Sequence, residues 1–264
     1  MKNDHDDIRN KVREVYALRA RSASLLPIIQ DNNAICTDEF CEIDLDAGGD
    51  PYPNIYLSKE LDGLPVEAIA ASAGCGNPIA LAGLKLGEKV LDLGSGGGID
   101  CFLAARQVGA DGHVIGLDMT ADMISLARKN AENLGARNVE FIHSEMEKIP
   151  LPDKSVDVVI SNCVICLSPD KDAVITEAFR VLTPGGRIHI SDMMALGQNA
   201  DGAELDLYEW ACCIAGAEDQ GVYTDRLARA GFTGISLTQE GEAKPQEGRR
   251  PSVASVKVVA TKPV

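Results

Sequence analysis

A glycine-rich stretch in the first half of the chain constrains its fold more than any other feature. Val90–Leu93 is apolar apart from Asp92, Gly94–Gly98 follows, and Ile99–Val108 has the composition of a helix. A strand, a glycine turn and a helix start in this order let the backbone come very close to a ligand, because glycine has no side chain to collide with it. The glycines at positions 94, 96 and 98 follow a G-x-G-x-G spacing, whereas a dinucleotide fingerprint requires glycine at Ile99.

An acidic residue after the next predicted strand narrows the class of ligand. His113–Leu117 is predicted to be a short strand that ends at Asp118. An acidic side chain about 20 residues beyond such glycines is placed to bind the hydroxyl pair of a ribose. The pattern therefore predicts a nucleoside ligand that need not be NAD. The alternative, a tight strand-to-helix turn without a ligand, is weakened by Asp118.

Strands and helices alternate from Lys89 onward, which predicts a doubly wound, mostly parallel α/β sheet. Thr120 is expected to cap the helix Ala121–Leu134 and Gly135 to end it. The further predicted helices are Asp170–Leu182, Ala203–Ile214 and Tyr223–Ala230. The further predicted strands are Val139–His143, Ser155–Asn162, Arg187–Asp192 after a turn at Pro184–Gly186, Ile235–Thr238 and Val253–Thr261.

The chain before this alternating region is expected to be an extension that contributes to a substrate site. Asp6–Ser22 has the pattern of an amphipathic helix that docks or acts as a lid, and Leu25–Pro65 is predicted to be irregular. We expect an extension over residues 1–84 and a ligand-binding domain over residues 85–264, in which a late insertion at 193–221 also reaches the substrate.

Charge and cysteine content exclude several classes of partner. The formal net charge of −15 argues against nucleic acid and against an anionic membrane surface. No stretch approaches the roughly 18 apolar residues of a membrane span, and the charged N-terminus does not resemble a signal peptide. We expect a cytoplasmic protein in which the eight cysteines are thiols.

Ligands of doubly wound sheets bind beyond the carboxyl ends of the strands, and this rule locates a predicted active site. The residues at those ends are Gly94–Gly98, Asp118, Ser144–Met146, Asn162–Cys163 and Asp192.

Three runs resemble the class I S-adenosylmethionine methyltransferases. They are VLDLGSGGG at 90–98, GLD at 116–118 and PGGRIHISD at 184–192. The resemblance implies S-adenosylmethionine as cofactor, with the methionine part on the glycine turn, the ribose on Asp118 and the adenine between Glu145 and Met146. The cofactor-binding residues implied in this way are Asp92, Gly94, Gly96, Gly98, Asp118, Met119, Glu145, Met146 and Asn162.

A narrower resemblance is to the arsenite methyltransferases. It rests on AGCGNP at 73–78, GLDMT at 116–120, SNCVI at 161–165 with LSPDK at 167–171, and WACCIAGA at 210–217. The metalloid-binding cysteines of that family fall on Cys75, Cys163 and Cys213, and its N-terminal cysteine falls on Cys36 or Cys41, between which spacing does not decide. The chain departs from the family at Cys166, where asparagine is usual, and at Cys212.

The thiols suit the implied substrate, since trivalent arsenic is soft and selects thiolate ligands. We expect a methyltransferase that moves the methyl group of S-adenosylmethionine to arsenic held by Cys75, Cys163 and Cys213. Cys101 and Cys166 are expected to be buried packing residues. The implied partners are arsenite, methylated trivalent arsenicals and a small-thiol or thioredoxin-type reductant, and the protein is expected to be a monomer.

Two alternatives remain open at this point. One is an S-adenosylmethionine-dependent methyltransferase of an organic small molecule with incidental cysteines. The other is a non-catalytic metalloid- or redox-binding protein on a methyltransferase fold.

Overall fold

The computed structural model describes residues 2–25, 56, 58–77, 79, 83–197, 206–244 and 251–264. Its helices are α1 (Lys2–Leu25), α2 (Ser58–Leu61), α3 (Val66–Ala70), α4 (Ile99–Val108), α5 (Ala121–Leu134), α6 (Lys171–Val181), α7 (Leu207–Ala211) and α8 (Gln220–Ala230). Its strands are β1 (Lys89–Leu93), β2 (His113–Asp118), β3 (Val139–His143), β4 (Val156–Asn162), β5 (Leu182–Ala195), β6 (Glu218–Asp219), β7 (Thr233–Lys244) and β8 (Val253–Thr261). A 3-10 turn, Ile165–Leu167, follows β4.

The strands form one mostly parallel sheet in the order β3-β2-β1-β4-β5-β8-β7, with β6 beside β5. Leu91 of β1 pairs with Ile115 of β2 on one side and with Val159 of β4 on the other. The antiparallel strands β8 and β7 complete the far edge. The predicted doubly wound fold with a terminal antiparallel pair is confirmed.

Both faces of the sheet are covered, which explains the apolar composition of its central strands. Val158, Val159 and Ile160 of β4 are each fully buried. Val159 belongs to one apolar cluster, whereas Val158 and Ile160 belong to another. Alternate residues of a strand point to opposite faces, so a strand buried on both faces has no polar alternation.

Several predicted element bounds differ from the structure. The predicted turn at Pro184–Gly186 lies inside the longer strand β5, because Gly185 donates a backbone hydrogen bond to Lys262 (2.9 Å) and Gly186 accepts one from it (2.8 Å). Thr120 begins α5 without a side-chain cap among the described residues. The predicted helix Ala203–Ile214 is reduced to α7, and residues 198–205 lie outside the described part of the chain.

Helix α1 is the predicted N-terminal amphipathic helix, and it covers the end of the sheet where the strands' carboxyl ends meet. Its buried residues Ile8 and Val12 pack against a cluster that contains Cys163 and Cys213. Farther along α1, Arg21 donates to Asp122 of α5 at 2.8 Å. Among the helices that the structure describes, none has the length and apolarity that crossing a membrane requires.

Candidate active site

A cavity of about 870 Å³, including the open space at its mouth, lies at the carboxyl ends of β1, β2 and β4. A cavity of this size accommodates a ligand of nucleoside dimensions. Six of the predicted cofactor-binding residues line it, together with one predicted arsenic ligand. These residues are Gly94, Gly96, Asp118, Met119, Met146, Asn162 and Cys163.

The glycine turn forms one wall of the cavity, and its glycines differ in why they lack a side chain. Gly94 has φ of 72° and Gly96 has φ of 51°, both in the left-handed region that favours glycine. A Cβ at Gly94 would overlap the γ-methyl groups of Val164. A Cβ at Gly96 would meet, among the described residues, only the Sδ of Met123 at 4.0 Å. Gly96 therefore leaves open space on the cavity side of the turn.

Asp118 links the glycine turn to the start of α5. Its Oδ2 accepts the backbone N–H of Gly96 at 3.0 Å, and its Oδ1 accepts that of Thr120 at 2.8 Å. Burial raises the pKa of this carboxyl, while the N–H groups of Thr120 and Gly96 act in the opposite direction. The side chain of Thr120 also hydrogen-bonds to this carboxylate, which keeps acceptor capacity for a hydroxyl donor from a ligand.

Ser95 is a further polar residue of the cavity; it lies within the predicted stretch Gly94–Gly98 but is not among the predicted cofactor-binding residues. The side chain is buried and lines the cavity. Its Oγ has no hydrogen-bond partner among the described residues. A buried hydroxyl of this kind is expected to meet a polar ligand atom.

Three of the predicted cofactor-binding residues do not line the cavity. Asp92 is buried behind the cavity, and its carboxylate accepts a hydrogen bond from the thiol of Cys101 at 3.2 Å. A Cβ at Gly98 would lie 2.9 Å from the ring of Phe102, so this glycine makes room for the start of α4. Glu145 forms ion pairs with Arg13 and, at 3.7 Å, with Arg9 of α1. Binding of the cofactor by these three residues stays a prediction.

Asn162 holds the segment that carries Cys75 against the end of β4. Its Oδ1 accepts the backbone N–H groups of Cys75 (3.0 Å) and Gly76 (3.3 Å). Its Nδ2 donates to the hydroxyl of Tyr56 at 3.0 Å and to Asp100 at 3.2 Å. Asn162, which directly precedes Cys163, thus connects the N-terminal extension to the end of β4.

Three cysteines converge just beyond the cavity. The sulfur atoms of Cys163, Cys166 and Cys213 all lie within 4.8 Å of one another, and all three side chains are buried. Cys75 is half-buried, and its thiol is hydrogen-bonded to that of Cys163. Cys163 is the member of this group that also lines the cavity. We call Cys75, Cys163, Cys166 and Cys213 the thiol cluster.

Hydrogen bonds within the cluster shift the thiol pKa values in opposite directions. Those from Cys163, Cys166 and Tyr16 hold the pKa of Cys213 well below its usual value. The pKa of Cys163 is raised, chiefly by its hydrogen bond with Cys166. The thiolate form is accordingly favoured at Cys213 over Cys163 and Cys166, since burial and hydrogen bonding raise the pKa values of those two thiols.

The segment after α7 brings Cys213 to the cluster. The indole of Trp210 donates to the carbonyl of Leu167 at 2.9 Å. A Cβ at Gly216 would overlap the carbonyl oxygen of Cys166, so only glycine permits this close approach. The two segments are therefore held in direct contact.

Comparison with known proteins identifies the family of this chain. Residues 84–231 match the model of a family described as "Methyltransferase domain". A solved arsenic (III) S-adenosylmethionine methyltransferase from Chlamydomonas reinhardtii superposes with a TM-score of 0.70 at 35% identity, over 78% of this chain and 73% of that one. This chain belongs to the arsenite S-adenosylmethionine methyltransferase family.

Two curated members of the family are similar over most of the chain. The arsenite methyltransferase of Halobacterium salinarum is 41% identical over 91% of this chain, and that of Aquipseudomonas alcaligenes is 38% identical over 81%. The chain spans about three fifths of the length of these relatives, 61% in each case.

The structure places Cys163 beside both Cys213 and Cys75, and arsenic binding by these three cysteines stays a prediction. It adds Cys166, which we expected to serve packing alone. The available signal was the C-x-x-C spacing from Cys163 to Cys166, which is not followed by a helix start of the redox type. Cys212 is outside the group of close thiols. Cys36 and Cys41 lie outside the described residues.

Proposed function

We propose that this chain transfers the methyl group of S-adenosylmethionine to trivalent arsenic bound by cysteine thiolates. One observation carries the proposal: Cys163 both lines the cavity and belongs to the thiol cluster. An arsenic atom on Cys163 would lie between the cavity and the thiol cluster. Holding two reactants in contact in this way lowers the barrier by removing the cost of bringing them together.

The cavity has features that suit S-adenosylmethionine. Asp118 keeps acceptor capacity for a ribose hydroxyl, Gly96 leaves open space on the cavity side, and Ser95 offers a hydroxyl that has no partner among the described residues. When bound, the cofactor supplies an electrophilic methyl group on a sulfonium centre. The chain contributes by fixing the backbone of the glycine turn through Asp118 and by excluding water with α1.

The proposed arsenic ligands are Cys75, Cys163 and Cys213. Trivalent arsenic is pyramidal and carries a lone pair, so three thiolates leave that pair free to attack a methyl group in line. The lowered pKa of Cys213 favours its thiolate as the first to bind. Asn162 keeps Cys75 in reach, because it anchors the backbone N–H of Cys75 at 3.0 Å.

We extend the proposal to the organisation of the chain. Residues 1–84 act as an extension that supplies Cys75 and the cover provided by α1, residues 85–264 form the cofactor-binding domain, and the segment 193–221 supplies Cys213. The described cysteines are free thiols, which supports a reducing, cytoplasmic location. A small thiol or a thioredoxin-type protein would act as reductant, with methylated trivalent arsenicals as products. The working unit would be a monomer.

The deciding experiment incubates the protein with arsenite, S-adenosylmethionine and glutathione, and measures S-adenosylhomocysteine together with arsenic speciation. We expect S-adenosylhomocysteine to form only when arsenite is present, and Cys163→Ser to abolish it. Cys101→Ser is the matched control, since a hydroxyl can still donate to Asp92. Turnover of an organic acceptor without arsenic would instead identify a small-molecule methyltransferase. Arsenite binding without turnover would identify a non-catalytic binding protein.

A further inference from the structure

We propose that Cys166 is a further arsenic ligand, so that Cys163, Cys166 and Cys213 form a second trithiolate set for arsenite, in which Cys166 takes the place of Cys75. This inference rests on the proposed function and names a ligand that the family resemblance does not supply. In the family, asparagine is usual at this position, and asparagine provides no thiolate.

The geometry of the three buried thiols carries the proposal. Their sulfur atoms lie within 4.8 Å of one another, which is close enough for all three to bind one thiophilic atom. Their side chains are 4%, 2% and 6% exposed for Cys163, Cys166 and Cys213, respectively. Cys75 touches this group through Cys163 but is outside the set of mutually close sulfurs.

Each of the three thiols is attached to a backbone that is itself fixed. The N–H of Cys163 donates to the carbonyl of Ser191 at 2.7 Å, and that of Cys166 donates to the carboxylate of Asp192 at 2.9 Å. The N–H of Cys213 donates to the carbonyl of Trp210 at 3.0 Å. Ligands held in this way require little ordering when the arsenic atom arrives.

The environment of Cys75 differs. It lies on the segment before β1 and is half-buried, and its backbone N–H is anchored by the side-chain amide of Asn162. We infer that Cys75 meets arsenite at the open side of the cluster, while Cys166 completes the coordination inside it.

The binding step balances without an oxidant or reductant. Arsenous acid exchanges its three As–O bonds for three As–S bonds to Cys163, Cys166 and Cys213. The three thiol protons combine with the departing hydroxides to give three water molecules. Arsenic stays trivalent and keeps its lone pair.

The test counts the sulfur atoms around arsenic by X-ray absorption at the arsenic edge, in full-length protein with one equivalent of arsenite and no cofactor. The background carries Cys36→Ser and Cys41→Ser, so that these thiols cannot contribute. We expect three sulfur neighbours in Cys75→Ser, and two sulfurs with one oxygen in the double variant Cys75→Ser, Cys166→Ser. Cys212→Ser added to Cys75→Ser is the matched control and should keep three.

Two sulfurs and one oxygen in Cys75→Ser would overturn the proposal, as would three sulfurs in the double variant. Cys166→Asn, which introduces the usual residue of the family, replaces Cys166→Ser if the latter does not fold by circular dichroism. Because cofactor is absent, the sulfur count does not depend on methyl transfer. Failure of the proposed function would appear separately, as a parent protein that binds arsenite and forms no S-adenosylhomocysteine.

Discussion

The thiol of Cys213 donates a hydrogen bond to the backbone carbonyl of Cys163 at 3.4 Å, and both residues adopt a left-handed backbone conformation. Their φ angles are 63° and 59°. For residues other than glycine this conformation costs about 1–2 kcal/mol, and it persists where the surrounding packing fixes it. The two cysteines that face each other across the cluster are thus both held in strained positions.

This strain separates the role of the Cys213 thiol from the stability of its turn. Replacing Cys213 with glycine or with alanine removes the same thiol, so we expect both variants to lose the same amount of arsenite affinity. Glycine adopts the left-handed conformation without strain, so Cys213→Gly should be more stable than Cys213→Ala by about 1 kcal/mol. Urea denaturation measures the difference. A less stable glycine variant would show that the turn is not strained.

The glycine turn offers a pair of substitutions with distinct outcomes. Gly94→Ala should lower the free energy of unfolding markedly, because the new methyl group overlaps Val164. Gly96→Ala meets no such overlap and should lose about 1–2 kcal/mol from backbone strain alone. For the same loss of unfolding free energy, we expect Gly96→Ala to lose more affinity for S-adenosylmethionine than Gly94→Ala. Calorimetric titration together with thermal unfolding of both variants tests this, and an unchanged affinity in Gly96→Ala would contradict it.

The hydrogen bonds of Asn162 to the backbone of Cys75 and Gly76 lead us to expect that loss of this side chain raises the reactivity of Cys75. Without its side-chain oxygen, the N–H groups of Cys75 and Gly76 lose their acceptor, and the segment should loosen. We expect Cys75 of Asn162→Ala to react faster with iodoacetamide, as followed by peptide mass spectrometry. Tyr56→Phe removes only the hydroxyl that Asn162 contacts at 3.0 Å and should leave the rate near that of the parent. Equal rates in Asn162→Ala and the parent would exclude the anchoring role.

The buried position of His189 leads us to expect that this residue lowers the free energy of unfolding as the pH falls. Burial, with a smaller contribution from Arg187, lowers its pKa to about 4. Between pH 6.5 and 4 the unfolded chain therefore binds more protons at this residue than the folded protein does, so the residue destabilises the fold as pH falls through this range. His189→Gln should lose less stability than the parent between pH 7 and pH 5 in urea denaturation. Equal losses would show that His189 does not titrate differently on unfolding.

Trp210 is the only tryptophan of the chain and reports on the cluster. Its indole N–H donates a hydrogen bond to the carbonyl of Leu167. The ammonium group of Lys171 lies 5.0 Å from the ring centre. Arsenite binding at Cys213 should shift this contact and change the fluorescence. We expect Cys213→Ser to abolish the change and Cys212→Ser to retain it. The reverse pattern would move the ligand to Cys212.

The sequence permits prediction of the fold because its signals are local. The glycine turn, the buried composition of β4 and the alternation of strands and helices each follow from neighbouring residues. The cavity wall at Gly96 and Asp118 follows from the rule that ligands bind at the carboxyl ends of the strands. Prediction of Cys75 and Cys213 needed the family resemblance, because no periodicity shows that remote segments meet.

Cys166 escaped prediction for a different reason. It lies in the short 3-10 turn Ile165–Leu167, where neither a strand period nor a helix period gives the direction of a side chain. Likewise, the pairing of Glu145 with arginines of α1 depends on how the N-terminal helix docks. Both facts are tertiary and become visible only in the folded protein.

The position of Asn162 next to Cys163 has a consequence for how the site tolerates change. One peptide unit, about 3.8 Å between Cα atoms, joins the residue that anchors Cys75 to the residue that borders the cavity. The positions of Cys75 and Cys163, which are remote in sequence, therefore depend on the same short piece of backbone. A local distortion at the end of β4 would displace both together, so a single substitution there would resemble the loss of two ligands.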